Sequence, residues 1–121
     1  LNRHKTFPLI ASAAYTAAQT AKIYTEAMDG IHVIIEVTVD PAAASITPIL
    51  QGLNEETGNY YDMLVGAAIT AVGTTVLKVH PTIQAQANAS AQDGLPRVMR
   101  FSMAVADTDS ITYSVDYNGI A

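Results

Sequence analysis

Gly30-Ile31-His32-Val33-Ile34-Ile35-Glu36-Val37-Thr38-Val39-Asp40 repeats with a period of two. Ile31, Val33, Ile35, Val37 and Val39 fall on one side, and His32, Ile34, Glu36 and Thr38 on the other. Five β-branched residues on a single face specify a strand with one face buried and one partly wet. Asp40-Pro41 ends it.

Further strands are predicted on the C-terminal side. Ser45 to Gly52 is apolar, and Pro48 within it predicts an edge strand or a bulge, because proline has no N–H to give a ladder. Leu53 to Asn59 is polar and ends in Gly58-Asn59, the pattern of a hairpin loop. Tyr60 to Ile69 reads as the return strand, with Gly66-Ala67-Ala68 allowing a bend. Thr74 to His80 alternates again and stops at Pro81. Residues 82–94 have little strand propensity and predict an ordered loop or a short helical turn before Asp93-Gly94. Pro96 to Ala106 and Ser110 to Tyr117 are the last two strands, joined by the polar turn Asp107-Thr108-Asp109.

On the N-terminal side, Leu9 to Ala27 mixes helix-tolerant alanines with Tyr15, Thr16, Thr20, Tyr24 and Thr25, and is read as extended chain plus loop. Six or seven short strands with regular turn signals give the expected fold class, all-β: a single antiparallel β-sandwich of Greek-key or jelly-roll type. Residues 1–28 are expected to comprise an extended N-terminal arm and a segment of ambiguous structure, and 29–121 the sandwich.

Composition narrows the function. The 121 residues suit one domain with one core. With no cysteine, disulfides, thiolate nucleophiles and Cys-ligated zinc are excluded. Charged residues make up 14% of the chain, against about 25% in ordinary domains, while alanine occurs 20 times and threonine 13 times. A small protein with so few surface ions is expected to keep part of its surface against other chains. The net charge is −5, yet Arg3, His4 and Lys5 make the extreme N-terminus basic. An acidic body disfavours nucleic acid, whose phosphates need clustered Lys and Arg. No apolar run reaches the length of a membrane span and no signal peptide is visible. The chain opens on Leu1 rather than methionine, which leaves upstream residues or a processed leader as open readings.

No catalytic constellation stands out. The G-x-S-x-G and P-loop patterns are absent, and His4, His32 and His80 lack the spacing of a helical zinc site. Asp107-Thr108-Asp109 has half the oxygen ligands of a calcium loop without its glycine and distal glutamate, so it is read as a turn. Glu55-Glu56 on the hairpin loop are read as solvated charges. Tyr60 and Tyr61 point to opposite faces, which makes one core and the other a surface or contact residue. Tyr113, Val115 and Tyr117 share a face as a core or interface stripe. Arg97 and Arg100, three apart in a strand, are expected on opposite faces, one of them an inter-subunit anchor through a bidentate carboxylate pair. The candidate interface residues are thus Arg3, His4, Lys5, Arg97, Arg100, Tyr61, Tyr113 and Tyr117, with no catalytic, cofactor or metal residue among them.

Several strings carry a resemblance. In order, they are Gly30 to Thr38; Gln51-Gly52 followed by Thr57-Gly58-Asn59-Tyr60-Tyr61-Asp62; Ala68-Ile69-Thr70 with Gly73 to Val79; Leu95-Pro96-Arg97; and Ala106 to Val115. They cover most of residues 30–115 and resemble a family of small tailed-bacteriophage proteins. The chain departs from the pattern at Val98-Met99, where relatives often carry an aromatic between the two arginines. It departs again at Asn59, where they often carry a basic residue. The resemblance implies a virion component with a β-sandwich fold, similar to trimeric cement proteins that decorate the outside of an icosahedral head. The expected protein is therefore non-enzymatic and made in the bacterial host cytoplasm. It would bind the major capsid protein on the outer capsid surface as a homotrimer that bridges capsomers, without cofactor, nucleic acid or membrane. The alternative is a tail or fibre-tip module that binds host-surface glycans through the same sandwich.

Overall fold

Strands that alternate in sequence need a second layer to cover their apolar faces, and here two sheets supply it to each other. The computed structural model describes residues 6–26, 28–40, 44–106 and 109–120. Its strands are β1 (Thr6–Tyr15), β2 (Gln19–Tyr24), β3 (Gly30–Val39), β4 (Ile46–Asn54), β5 (Asn59–Val65), β6 (Gly73–Val79), β7 (Ser90–Ala91), β8 (Val98–Val105) and β9 (Ile111–Ile120). One sheet has the order β1-β9-β3-β6-β7 and the other β2-β8-β4-β5.

The antiparallel pairs β1/β9, β2/β8, β3/β6 and β4/β5 are nested in sequence. The chain is thus one long hairpin folded about the β4–β5 turn. Pairing of β9 with β3 and of β8 with β4 rolls that hairpin into two sheets. This is the jelly-roll connection, with β7 added in parallel beside β6. The β-sandwich expected from the sequence is the fold.

The core lies between the sheets. From the five-stranded sheet it takes Ile31, Val33, Ile35, Leu77, Val79, Tyr113 and Val115, and from the four-stranded sheet Ile23, Ile46, Leu50, Met99, Phe101 and Met103. β4 alternates buried and half-buried residues from Ile46 to Leu53. The β4–β5 loop is Glu55 to Gly58, closed by the Gly58 N–H donating to the Asn54 carbonyl at 2.8 Å. Gly58 has φ +77° there, a left-handed turn position that glycine takes without a Cβ penalty.

Several expectations are corrected. The sandwich does not begin at residue 29: within the stretch expected as arm and ambiguous segment, Thr6–Tyr15 is β1 of one sheet and Gln19–Tyr24 is β2 of the other. Pro48 is in an inner strand, flanked by β8 and β5. Its carbonyl accepts from the Gly66 N–H at 2.8 Å, so the side lacking an N–H faces the point where the β5 ladder has ended and only the Ile46–Ile69 bridge continues it. Residues 82–94 form turns and the short β7, with no helix. β8 and β9 belong to different sheets, so these two strands do not pair as a hairpin across the expected Asp107-Thr108-Asp109 segment. Thr108 and Asp107 of that segment lie outside the described residues.

Tyr113 is fully enclosed, and among the described residues its hydroxyl has no hydrogen-bond partner. Its ring lies 4.9 Å from that of Tyr15. Burial, and then the charge of Tyr15, pushes the Tyr113 hydroxyl up to about 12. The unfolded chain releases this proton near pH 10.0 and the folded chain only near 12. The stabilisation from keeping it is therefore complete below pH 10 and lost as pH rises through about 12. An unpartnered buried hydroxyl costs about 1–3 kcal/mol, so Tyr113→Phe is expected to match or exceed the parent in stability at pH 7. Its advantage should widen from pH 10 to 12. Urea midpoints across that range check this; a variant that loses stability at pH 7 would mean that the hydroxyl has a partner.

Candidate interaction surface

The outer face of the four-stranded sheet carries most of the polar order. Lys22, Arg100, Gln51 and Asp62 are register partners across β2, β8, β4 and β5. The Arg100 Nε donates to Gln51 Oε1 at 2.8 Å, and Gln51 Nε2 donates to Asp62 Oδ1 at 2.8 Å. The Arg100 guanidinium also sits 3.9 Å over the Tyr60 ring, a cation–π arrangement. Cation, amide and carboxylate form one cross-strand row, and the amide passes polarity between charges too far apart to pair directly. This fixes Arg100 as a flat, half-buried part of the face.

Arg97 is presented differently. Thr25 is buried; its N–H donates to the Arg97 carbonyl at 3.1 Å and its hydroxyl to the Pro96 carbonyl at 2.5 Å. These bonds tie the chain after β2 to the chain before β8. The Arg97 side chain then reaches across to Glu55 of the hairpin loop, Nη2 to Oε1 at 2.5 Å. The hydrogen bond that Arg97 donates to Glu55, and then the Glu55 charge, raise the Arg97 guanidinium above its ordinary value. Both arginines therefore face outward. The expectation of opposite faces fails because β8 starts at Val98, which leaves Arg97 outside the strand whose period would have turned it inward.

The tyrosines also separate. Tyr60 is half-buried beneath Arg100, and Tyr61 is 48% exposed on the inner side with its ring over Gly52, so neither is a core residue. Tyr113 offers no surface to a partner, which removes it from the interface set. Tyr117 is half-buried against the core and stacked on Phe7, with ring centroids 5.3 Å apart. Arg3, His4 and Lys5 lie outside the described residues.

The outer face of the five-stranded sheet pairs His32 with Lys78 and Asn118. Partial burial, then the charges of Lys78 and His80, lower the His32 imidazole below its usual value, so it is neutral at pH 7. The His80 Nδ1 accepts from the Thr82 N–H at 3.0 Å, and its ring packs against Gly30. Among the described residues, no group of three His, Asp or Glu side chains is placed to hold a metal ion.

The sequence reading missed the surfaces on either side of the sandwich. β1 stands over β2 at one side, and β5 neighbours β7 at the other. Two open grooves lie near the second side, the first of them on the outer face of the five-stranded sheet, where Lys78 stands opposite His32. One, of about 390 Å³, is lined by Val76, Lys78, Ile83, Gln84, Gln86 and Ser90. The other, of about 290 Å³, is lined by Ala67, Ile69, Ala71, Val72, Gly73 and Asn88 among others. The signal was present as long stretches without charge, but only the topology shows which stretches share a side. No protein-family model matches the chain, and no curated protein matches it significantly.

Proposed function

We propose that this protein is a bacteriophage structural protein that decorates and reinforces the outer surface of an icosahedral capsid, as a trimer bridging capsomers of the major capsid protein. The observation that carries the reading is a jelly-roll sandwich whose exterior is poor in ions and exposes apolar side chains, among them Tyr24, Val39, Val65 and Val72. Such an exterior favours coverage by other chains. The strings that resemble tailed-phage proteins fall largely on β3, β5, β6 and β9, and so belong to the sandwich itself.

Reinforcement follows from mass action. A protein that binds only the assembled shell stabilises it by about 2.7 kcal/mol per site at a hundred times Kd, and trimeric attachment makes weak single contacts slow to release. The basic residues Arg3, His4 and Lys5 have the role of meeting an acidic patch on the shell.

Particles assembled with and without this chain, followed through a heat ramp and an osmotic shock, test the proposal. Particles lacking it are expected to release their genome at lower temperature, and added protein should restore them. Equal survival would rule out reinforcement. Saturable binding on a glycan array, with no binding to heads, would move the protein to the tail or fibre tip.

A further inference from the structure

We infer that the groove between β6 and the loop of residues 82–90 is a binding site for a small hydroxylated carboxylate, the chemistry of a sugar acid. The inference goes beyond the capsid reading and does not depend on it.

Strand register sets the floor of the groove. Lys78 of β6 pairs with His32 of β3 on one side and with Ser90 of β7 on the other, and His32 pairs in turn with Asn118 of β9. These side chains make one polar row across the outer face of the five-stranded sheet. Val76 and its register partner Ile34, both half-buried, make the apolar row beside it. Ile83, Gln84, Gln86 and Ser90 form the wall. The space enclosed is about 390 Å³, within the roughly 300–1,000 Å³ of small-molecule sites.

The wall is a loop, yet its backbone is tied at several points. Gln86 and Ser90 exchange N–H to carbonyl bonds of 3.1 and 3.0 Å, and the Lys78 N–H donates to the Ala89 carbonyl at 3.1 Å. The Ser90 hydroxyl donates to the Gln84 carbonyl at 2.8 Å. Asn88 turns the chain with φ 61°, a left-handed conformation uncommon outside glycine, and its side-chain amide donates to the Val65 carbonyl at 3.0 Å. A loop held in this way costs a ligand little ordering on binding.

Charge selects the ligand. Between residues 63 and 92 the only Asp, Glu, Lys or Arg is Lys78, so the groove is lined by one cation and no acid. Among the described residues, no carboxylate lies within ion-pair distance of Lys78. One ammonium matches one carboxylate. Phosphate dianions are held instead by guanidinium forks or by several backbone N–H groups at a helix start, and no arginine or helix lines this groove. Nor does any aromatic ring line it, so a nucleobase has no platform to stack on. Val76 and Ile83 offer contact to a C–H surface, while the exposed amides of Gln84 and Gln86 can each donate to and accept from hydroxyls. A short carbon skeleton bearing hydroxyls and a single carboxylate meets all of these groups.

Sodium glucuronate, glucose and inorganic phosphate, titrated separately into the isotope-labelled full chain and followed by amide NMR, test the inference. Glucuronate is expected to bind saturably in the millimolar range, shifting the amides of residues 78 and 84–90 and not those of Gln51 and Arg100 on the other sheet. Glucose and phosphate should each bind at least about 10-fold more weakly, the loss that follows when a charged hydrogen bond is not made. Lys78→Gln should weaken glucuronate by at least about 10-fold and leave glucose unchanged, the Gln84→Ala, Gln86→Ala double variant should weaken both sugars, and Lys22→Gln on the other sheet should change neither. Thermal melts confirm that each variant folds. A glucuronate oligosaccharide bound more tightly than the monosaccharide identifies a polysaccharide as the source of the ligand, whereas binding of the monosaccharide alone identifies a free acid. No saturable shift, equal affinity for glucose or phosphate, or glucuronate binding indifferent to Lys78→Gln would overturn the inference and leave the capsid reading untouched. Particles that survive equally without this chain would defeat the capsid reading and leave this site standing.

Discussion

Phe101→Ala is expected to lower the stability of the fold by about 3–5 kcal/mol, the cost of removing a large aromatic from a packed core. Phe101 lies on β8, between Ala21 of β2 and Leu50 of β4, and has no exposed surface. Its ring fills the gap between two sheets whose backbones are tied by ladders on both sides of β8. The sheets cannot close on the void without breaking register, so most of the cavity persists. For a chain of this length the loss should lower the thermal midpoint by more than about ten degrees. Ser102→Ala, one residue on and facing outward, should change stability by no more than about 0.5 kcal/mol. Urea denaturation of both variants measures the contrast. A Phe101→Ala cost below about 1 kcal/mol would mean that the ring does not bridge the sheets.

The same alternation explains how far the sequence could be read. β3 was legible because its flanks, β9 and β6, cover both edges and its inner residues contact only core, so burial repeats every second position. β1 was not, because it is an edge strand with two bulges. Only Ile10 in it is buried, and alanines on an exposed edge leave no period to detect. The turn at Glu55 to Gly58 was legible because its chemistry is local. The jelly-roll connection was not, because nothing local tells whether β8 and β9 pair or lie in different sheets.

The candidate surface divides in the same way. Arg97, Arg100 and Tyr61 were visible as residues able to make contacts, but where they point depended on a strand starting two residues later than expected and on a glycine opposite Tyr61. The uncharged loop of residues 82–92 can be read off the chain, whereas the groove that it forms beside β6 follows from strand order and the loop's own hydrogen bonds.

Gly30→Ala is expected to be strongly destabilising for so small a change, at about 2–4 kcal/mol. Gly30 opens β3 opposite Ile120, and a methyl group there would fall well inside contact distance of the His80 ring and 2.8 Å from the Val79 carbonyl. Neither neighbour yields easily. The carbonyl belongs to β6, and the ring is held by the Thr82 N–H and hydroxyl at 3.0 and 2.8 Å, so any relief opens the β3–β6 ladder or breaks the His80–Thr82 contact. Gly52 provides the comparison. A methyl group at Gly52 would meet the Tyr61 ring at 2.5 Å, but that side chain is half exposed and can rotate into solvent, so Gly52→Ala should cost less than about 1 kcal/mol. If packing is what selects glycine at these positions, chemical denaturation will separate the two variants by at least about 1 kcal/mol. Equal costs would mean that backbone entropy, which both glycines share, governs instead.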